Sequence, residues 1–317
     1  APISYWLSEE VAGSADMGAT EGEAAAAGVQ EMTVPGSTGA LDEEMEASGG
    51  GRRTRVRIEI LDAAGEVVGT IGNASARPGL NRVYWNMRYE SSQRAVMRTK
   101  PLDHPHVELS DSGTRSPGDG RPVTPEAPPG TYTVRLTVNN EAPQEQSLTL
   151  LMDPNSRGSE AGAEAQFEMM LELRDDQNDV AGLINEAELV RAQLYELRDR
   201  LRGRDDFGEI NRQIGALDDE IIAVEMQLTD LRLVGGQDTL RYPRQLYAKI
   251  ASLSGYISGH DYAPTAAHRA VQEQYKESLG TLMQQMAGIR EGDLAAFNRM
   301  LRDKGIGTVI TGREAGR

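Results

Sequence analysis

Few residue types in this chain have both the chemistry and the spacing to react or bind. His104-Pro105-His106, flanked by Asp103 and Glu108, is the one run with metal-ligand character, because two imidazoles beside carboxylates can hold a divalent cation. The run lies in a Pro-rich stretch with no evident group to orient its rings. A solvated loop is therefore the expected state, His104 and His106 stay weak candidates, and no metal or cofactor is assigned. Of the other two histidines, His260 is read with Asp261 as a turn pair, and His268 as a helix-surface residue. Adjacent carboxylates such as Asp175-Asp176, Asp205-Asp206 and Asp218-Asp219 do not straddle a cleft as glycoside hydrolysis requires. The sequence has no Gly-x-Ser-x-Gly elbow, no Gly-x-x-x-x-Gly-Lys loop and no His-Glu-x-x-His, so no catalytic residue is assigned. Aromatic surface remains. Tyr5, Trp6 and Tyr84, with Tyr89 as a further member, would stack on a sugar ring if exposed, whereas Trp85 alternates with Val83 and Met87 and belongs in a core.

The scaffold for these residues must be economical: 38% of residues are hydrophobic and only 5% aromatic. A net charge of −16 disfavours nucleic acid, whose phosphates require clustered Lys and Arg, and anionic membrane surfaces for the same reason. The acidity fits a solubilising surface. Without cysteine there is neither a disulfide framework nor a thiolate metal site. No run approaches the roughly 18 apolar residues of a membrane span. The chain opens Ala1-Pro2-Ile3 with no initiator methionine and no signal peptide, and the expectation is that another part lies upstream.

Ile3–Leu7 alternates as a strand would. Residues 8–51 are built largely of Ala, Gly, Ser, Glu and Met with no Lys or Arg. Such a segment buries too little to offset about 1–2 kcal/mol of ordering per residue, and a disordered acidic insertion is expected. From 52 to 153 the period is two. Val56, Ile58 and Ile60 share a face, Asp62-Ala63-Ala64-Gly65 turns, Val67–Ile71 returns, and Pro78-Gly79 leads into Val83, Trp85 and Met87. Residues 90–129, rich in Pro, Ser and Asp, form a long irregular loop. Thr131–Val138 and a last strand through Leu148, Leu150 and Met152 complete the β part.

Beyond Ser156 the period becomes helical. Helix one is expected over 159–202. Helix two opens at Asp206 with Glu209 as capping-box partner, and its apolar residues Ile210, Ile214, Leu217, Ile221, Val224, Leu228 and Leu231 alternate spacings of four and three. Seven buried aliphatic side chains gain about 10–20 kcal/mol, while ordering two dozen residues costs as much. The helix needs a partner, either the antiparallel helix one or a second copy of the chain. Shorter helices follow Pro243 and Pro264, and a fifth segment covers Leu294–Leu301.

Three stretches carry a family likeness. Ile58–Val68, Gly79-Leu80-Asn81-Arg82-Val83-Tyr84-Trp85-Asn86 and Pro128-Pro129-Gly130-Thr131-Tyr132-Thr133-Val134 together resemble an immunoglobulin-like module of the kind found in flagellar hook-capping proteins and many exported bacterial proteins. With Pro2–Leu7 before it, and Gln166-Phe167, Tyr242-Pro243, Leu246 and Ala263-Pro264-Thr265 after it, the chain is similar to the C-terminal region of secreted bacterial proteins with sortilin-like, BNR-repeat β-propellers, often labelled glycosyl hydrolase-like. That resemblance implies an upstream propeller holding any active site, an exported location, and no catalytic residue here.

The expected fold is α+β and multidomain. Residues 1–7 form a strand continuing from an upstream domain, 8–51 the insertion, and 52–153 an immunoglobulin-like antiparallel β-sandwich with a long loop at 90–129. Residues 159–304 form an antiparallel helical bundle with a coiled-coil-like long-helix pair, and 305–317 a flexible tail. The expected function is a non-catalytic structural or interaction module that docks the propeller, with self-association through the bundle as a further route. The alternative is an accessory module binding carbohydrate or peptide for an extracellular hydrolase.

Overall fold

A computed structural model describes residues 1–8, 55–72, 74–139 and 141–312. The acidic insertion, apart from Ser8, and the last five residues of the tail lie outside them.

Period-two burial builds the β part. Strand β1 (Pro2–Leu7) buries Ile3, Tyr5 and Leu7 and exposes the residues between them. It pairs antiparallel with β4 (Gly79–Tyr84), from Pro2 opposite Tyr84 to Leu7 opposite Gly79. A second sheet runs in the order β3 (Val67–Ile71), β2 (Val56–Leu61), β5 (Gly130–Val138), β6 (Gln144–Leu150). Ile58, Ile60, Val68, Tyr132 and Val134 from this sheet are buried, and Trp85 meets Tyr132 edge-on with ring centroids 5.2 Å apart. The fold is thus mixed α and β with two antiparallel sheets. One strand is shorter than its alternation predicts: β4 stops at Tyr84, and Met87 is exposed at φ +59°, a left-handed conformation that ends the pleat.

Compactness divides the chain into two units, Ala1–Met87 with Thr131–Thr149, and Arg88–Gly130 with Leu150–Arg317. Residues 90–129, expected as a loop of the β module, therefore belong with the helices.

Four rods make the helical unit. Helix α1 (Glu160–Leu201) starts at Ser159, whose side chain accepts from the Gly162 amide. Helix α2 is Phe207–Leu228, α3 is Leu246–Ile257, and α4 (Ala266–Ile289) runs through a π turn at Arg290–Leu294 into α5 (Ala295–Asp303). All seven residues of the helix-two seam are buried within one chain, leaving that stripe nothing to offer a second copy. One local expectation fails. Asp206 makes no capping bond; Arg204 and Lys304 take its carboxylate, and Lys304 also holds Glu209. His268 lies on a helix near its surface, where its Nδ1 accepts from the Thr265 amide while Thr265 Oγ1 accepts from the His268 amide, closing the start of α4.

Two residues of the tail are pinned to the helices. Asn298 pairs with both the N–H and the C=O of Val309, and Gln193 does the same for Ile310. Each side-chain amide supplies one donor and one acceptor, as a neighbouring strand would.

Candidate interaction surface

Alternation settles which aromatics share a face. Tyr5 and Trp6 are neighbours in β1, so they point to opposite sides. Tyr5 goes inward: it is 7% exposed, and its hydroxyl donates to the Ser75 carbonyl at 2.6 Å. The expectation that Tyr5 contacts a ligand is therefore corrected. Burial also raises its pKa, with the Ser75 bond pulling the other way.

Trp6 and Tyr84 do share a face. Register sets Trp6 opposite Leu80, Ser4 opposite Arg82 and Pro2 opposite Tyr84. Trp6 is 65% exposed, Leu80 74% and Tyr84 70%. Trp6 and Tyr84 thus lie at the two ends of one sheet face, four residues or about 13 Å apart along the strands. Between them Arg82 Nε donates to Ser4 Oγ at 3.2 Å. Two flat apolar ends flank a polar centre. Tyr89 is not part of it; it belongs to the helical unit, where its ring lies 4.6 Å from that of Phe167.

Ionisable groups gather in a different place, and nothing in the sequence announced them. The strap 88–130 folds into two arms joined by paired bonds between Met97 and Arg115, with Tyr89 N donating to Pro125 O and Ser92 N to Val123 O. Its first arm lies along α1. Asn178 Oδ1 accepts from the Gln93 amide, Asn185 Oδ1 from Val96, and Glu188 Oε2 from Arg98 and Thr99. Seven helical residues rise about 10.5 Å and three extended ones about 10 Å, so two turns of α1 match the step from Gln93 to Val96. Met97 and Val123 are buried beneath.

Glu188 links this strap to a charge cluster. Arg191, 1% exposed at its side chain, donates to Glu188, Glu225 and Asp218 at 2.9–3.1 Å and to Tyr195 at 2.9 Å. Thr99 Oγ1 donates to Glu188 at 2.8 Å. Residues rising along α1 meet residues falling along α2, as antiparallel neighbours must. Burial works against the charge on Arg191, but Glu225, Tyr195, Asp218 and Glu188 outweigh it and raise its pKa. Burial, then the Glu188 charge, pushes Glu225 well above the carboxylate range. Glu225 Oε1 has no donor facing it and abuts Glu188. A proton on Glu225 lets it donate to Glu188 and removes the repulsion. Tyr195, raised to about 12 by burial, donates to Asp218 at 2.8 Å.

These residues line neither of two cavities of the helical unit that are bounded by residues 119–121 and 229–256. A solvated substrate has no route to them there, and their hydrogen bonds go to the strap and to one another. Asp218, unremarkable in sequence beside Asp219, is the carboxylate with a buried partner. Asp176, pushed up to about 6 chiefly by burial, stands apart from the cluster beside Glu172 and Lys276. His104 and His106 meet edge-on, 5.7 Å apart. Among the described residues no group of three His, Asp or Glu is placed to hold a metal ion, and no helix is long and apolar enough to cross a membrane. His260 accepts from the Tyr262 amide, a turn contact, and Asp261 accepts from the Ser156 hydroxyl across 105 residues of chain.

No protein-family profile, curated protein or solved structure matches this chain.

Proposed function

We propose that the chain is a non-catalytic interaction module of an exported β-propeller protein, and that it docks the propeller through the outer face of β1 and β4. One observation carries this: Trp6, Leu80 and Tyr84 hold three large apolar side chains in water on one sheet face. Exposed apolar side chains gathered on one sheet face mark contact sites, and Trp and Tyr dominate binding energy where they are covered. The β unit is taken as the immunoglobulin-like sandwich and α1–α2 as the coiled-coil-like pair of the sequence resemblance. The test is calorimetry of the chain with a sortilin-like propeller domain. Binding that Trp6→Ala and Tyr84→Ala each weaken by about 1–3 kcal/mol supports docking; no heat of binding removes it.

A second reading has its own observation, the Arg82–Ser4 pair between the two exposed rings. Rings that stack on sugar faces with hydrogen-bonding groups between them suit a polysaccharide, and the module would then be an accessory to an extracellular hydrolase. A glycan array distinguishes the two: signal lost in Trp6→Ala favours carbohydrate, and a blank array leaves the docking surface.

A further inference from the structure

The helical unit has a groove of about 440 Å³ that neither the aromatic face nor the buried cluster uses. Its volume falls within the roughly 300–1,000 Å³ of small-molecule sites. Helix α3 lays Ala248, Ala251 and Gly255 along the floor, with Tyr256 at the edge and 71% exposed. Two guanidinium groups border it. Arg244 is held by Asp119, Nε to Oδ2 at 3.3 Å, and donates from Nη1 to Ser252 Oγ at 2.8 Å. Arg121 is placed by its backbone: the carbonyl accepts from the buried Gln177 amide at 3.0 Å. Just before it Gly120 sits at φ +80°, where a Cβ would lie 2.4 Å from the Tyr247 ring, so only glycine lets the strap press this close to α3.

The Arg121 guanidinium reaches over Gly255, with Nη2 3.6 Å from where a Cβ would stand. Among the described residues no carboxylate pairs with it. Two cations therefore face one carboxylate, a local positive excess in a chain of net charge −16. A guanidinium fork matches a planar carboxylate through two parallel bonds. The bare helix backbone at Gly255 and the Tyr256 ring offer room and a flat wall for an apolar body. We propose that this groove binds a small organic carboxylate, its charge on Arg121 and Arg244 and its body along α3. The site is independent of the β1–β4 face.

The experiment is an NMR titration of the full chain with benzoate, and separately with inorganic phosphate. Saturable benzoate shifts at Gly120, Ser252, Gly255 and Tyr256, with a Kd on the order of 1 mM, are expected. Arg121→Ala weakens them about tenfold. Gly255→Leu fills the groove and abolishes them while leaving the unfolding midpoint unchanged or raised, because a Cβ there meets only the tip of Arg121 and leucine favours helix. Absent shifts, or shifts indifferent to Arg121→Ala, overturn the proposal. Tighter binding of phosphate than of benzoate overturns the carboxylate assignment.

Discussion

The outer face of β1–β4 and the interior of the helical unit invert the usual placement of side chains. One leaves Trp6, Leu80 and Tyr84 in water; the other takes Arg191, Glu188 and Glu225 almost completely out of it. In most proteins a buried ionisable cluster suggests chemistry and an exposed aromatic suggests little. Here the surroundings reverse both inferences. Each buried charge is matched by a partner in the same unit, and Glu188 divides its oxygens between the strap and Arg191. Among the described residues the exposed rings have no such internal partner. Perturbed groups that point at one another hold a fold together, while apolar groups aimed at solvent are free to bind.

The sharpest way to break this contrast is to remove the cation. Arg191→Met leaves the buried Glu188 and the half-buried Asp218 without their counter-charge, and urea denaturation is expected to show a loss of about 3–5 kcal/mol. If the cost is near zero, the cluster is not what joins α1, α2 and the strap. Next comes Glu188→Ala, which takes three acceptor contacts from the strap at once. Hydrogen exchange at the Arg98 and Thr99 amides should lose protection by about 1.5–3 kcal/mol while the α4 amides keep theirs.

Proton linkage gives the third effect. Glu225 has a raised folded pKa, so its unfolded form ionises first as pH rises and the neutral acid stabilises the fold only at lower pH. Asp206, Asp230 and Asp238 are lowered and lose their contribution only as pH falls through the acid range, outside the window above pH 5. As pH rises above the ordinary carboxylate range stability should therefore decline, by up to about 1.4 kcal/mol per unit from Glu225, and Glu225→Gln should flatten the slope. Asp176, at about 6, contributes in the lower part of that window and remains in the variant. A wild-type profile that rises across the window contradicts a protonated Glu225.

The smallest effects sharpen the other side. Tyr5→Phe removes one hydrogen bond to Ser75 and should cost about 1 kcal/mol, whereas Trp6→Ala should change stability by less than about 0.5 kcal/mol. Adjacent residues of one strand then differ because one is core and the other surface.

Periodicity explains what was legible in the sequence. The alternation of Ile3, Tyr5 and Leu7, the stripe from Ile210 to Leu231 and the start of helix one near Ser159 are local patterns that local sequence dictates. The strap was not legible as part of the helical unit, because extended chain anchored by Asn178, Asn185 and Glu188 has no period of its own. The same holds for Val309 and Ile310, pinned by side-chain amides from remote helices. The charge cluster was hidden for a related reason. Glu188 and Arg191 look like an ordinary exposed i,i+3 pair until the strap covers them. Tyr5 was misplaced as a ligand contact because residue type was weighed ahead of the strand's alternation.

The most direct test pairs binding with stability in one double variant, Trp6→Ala/Tyr84→Ala. Affinity for the propeller domain, or for whichever glycan an array identifies, should fall by tenfold or more, about 1.4 kcal/mol, while the urea midpoint stays that of the wild type. Undiminished binding would place the function of this chain somewhere other than the outer face of β1 and β4.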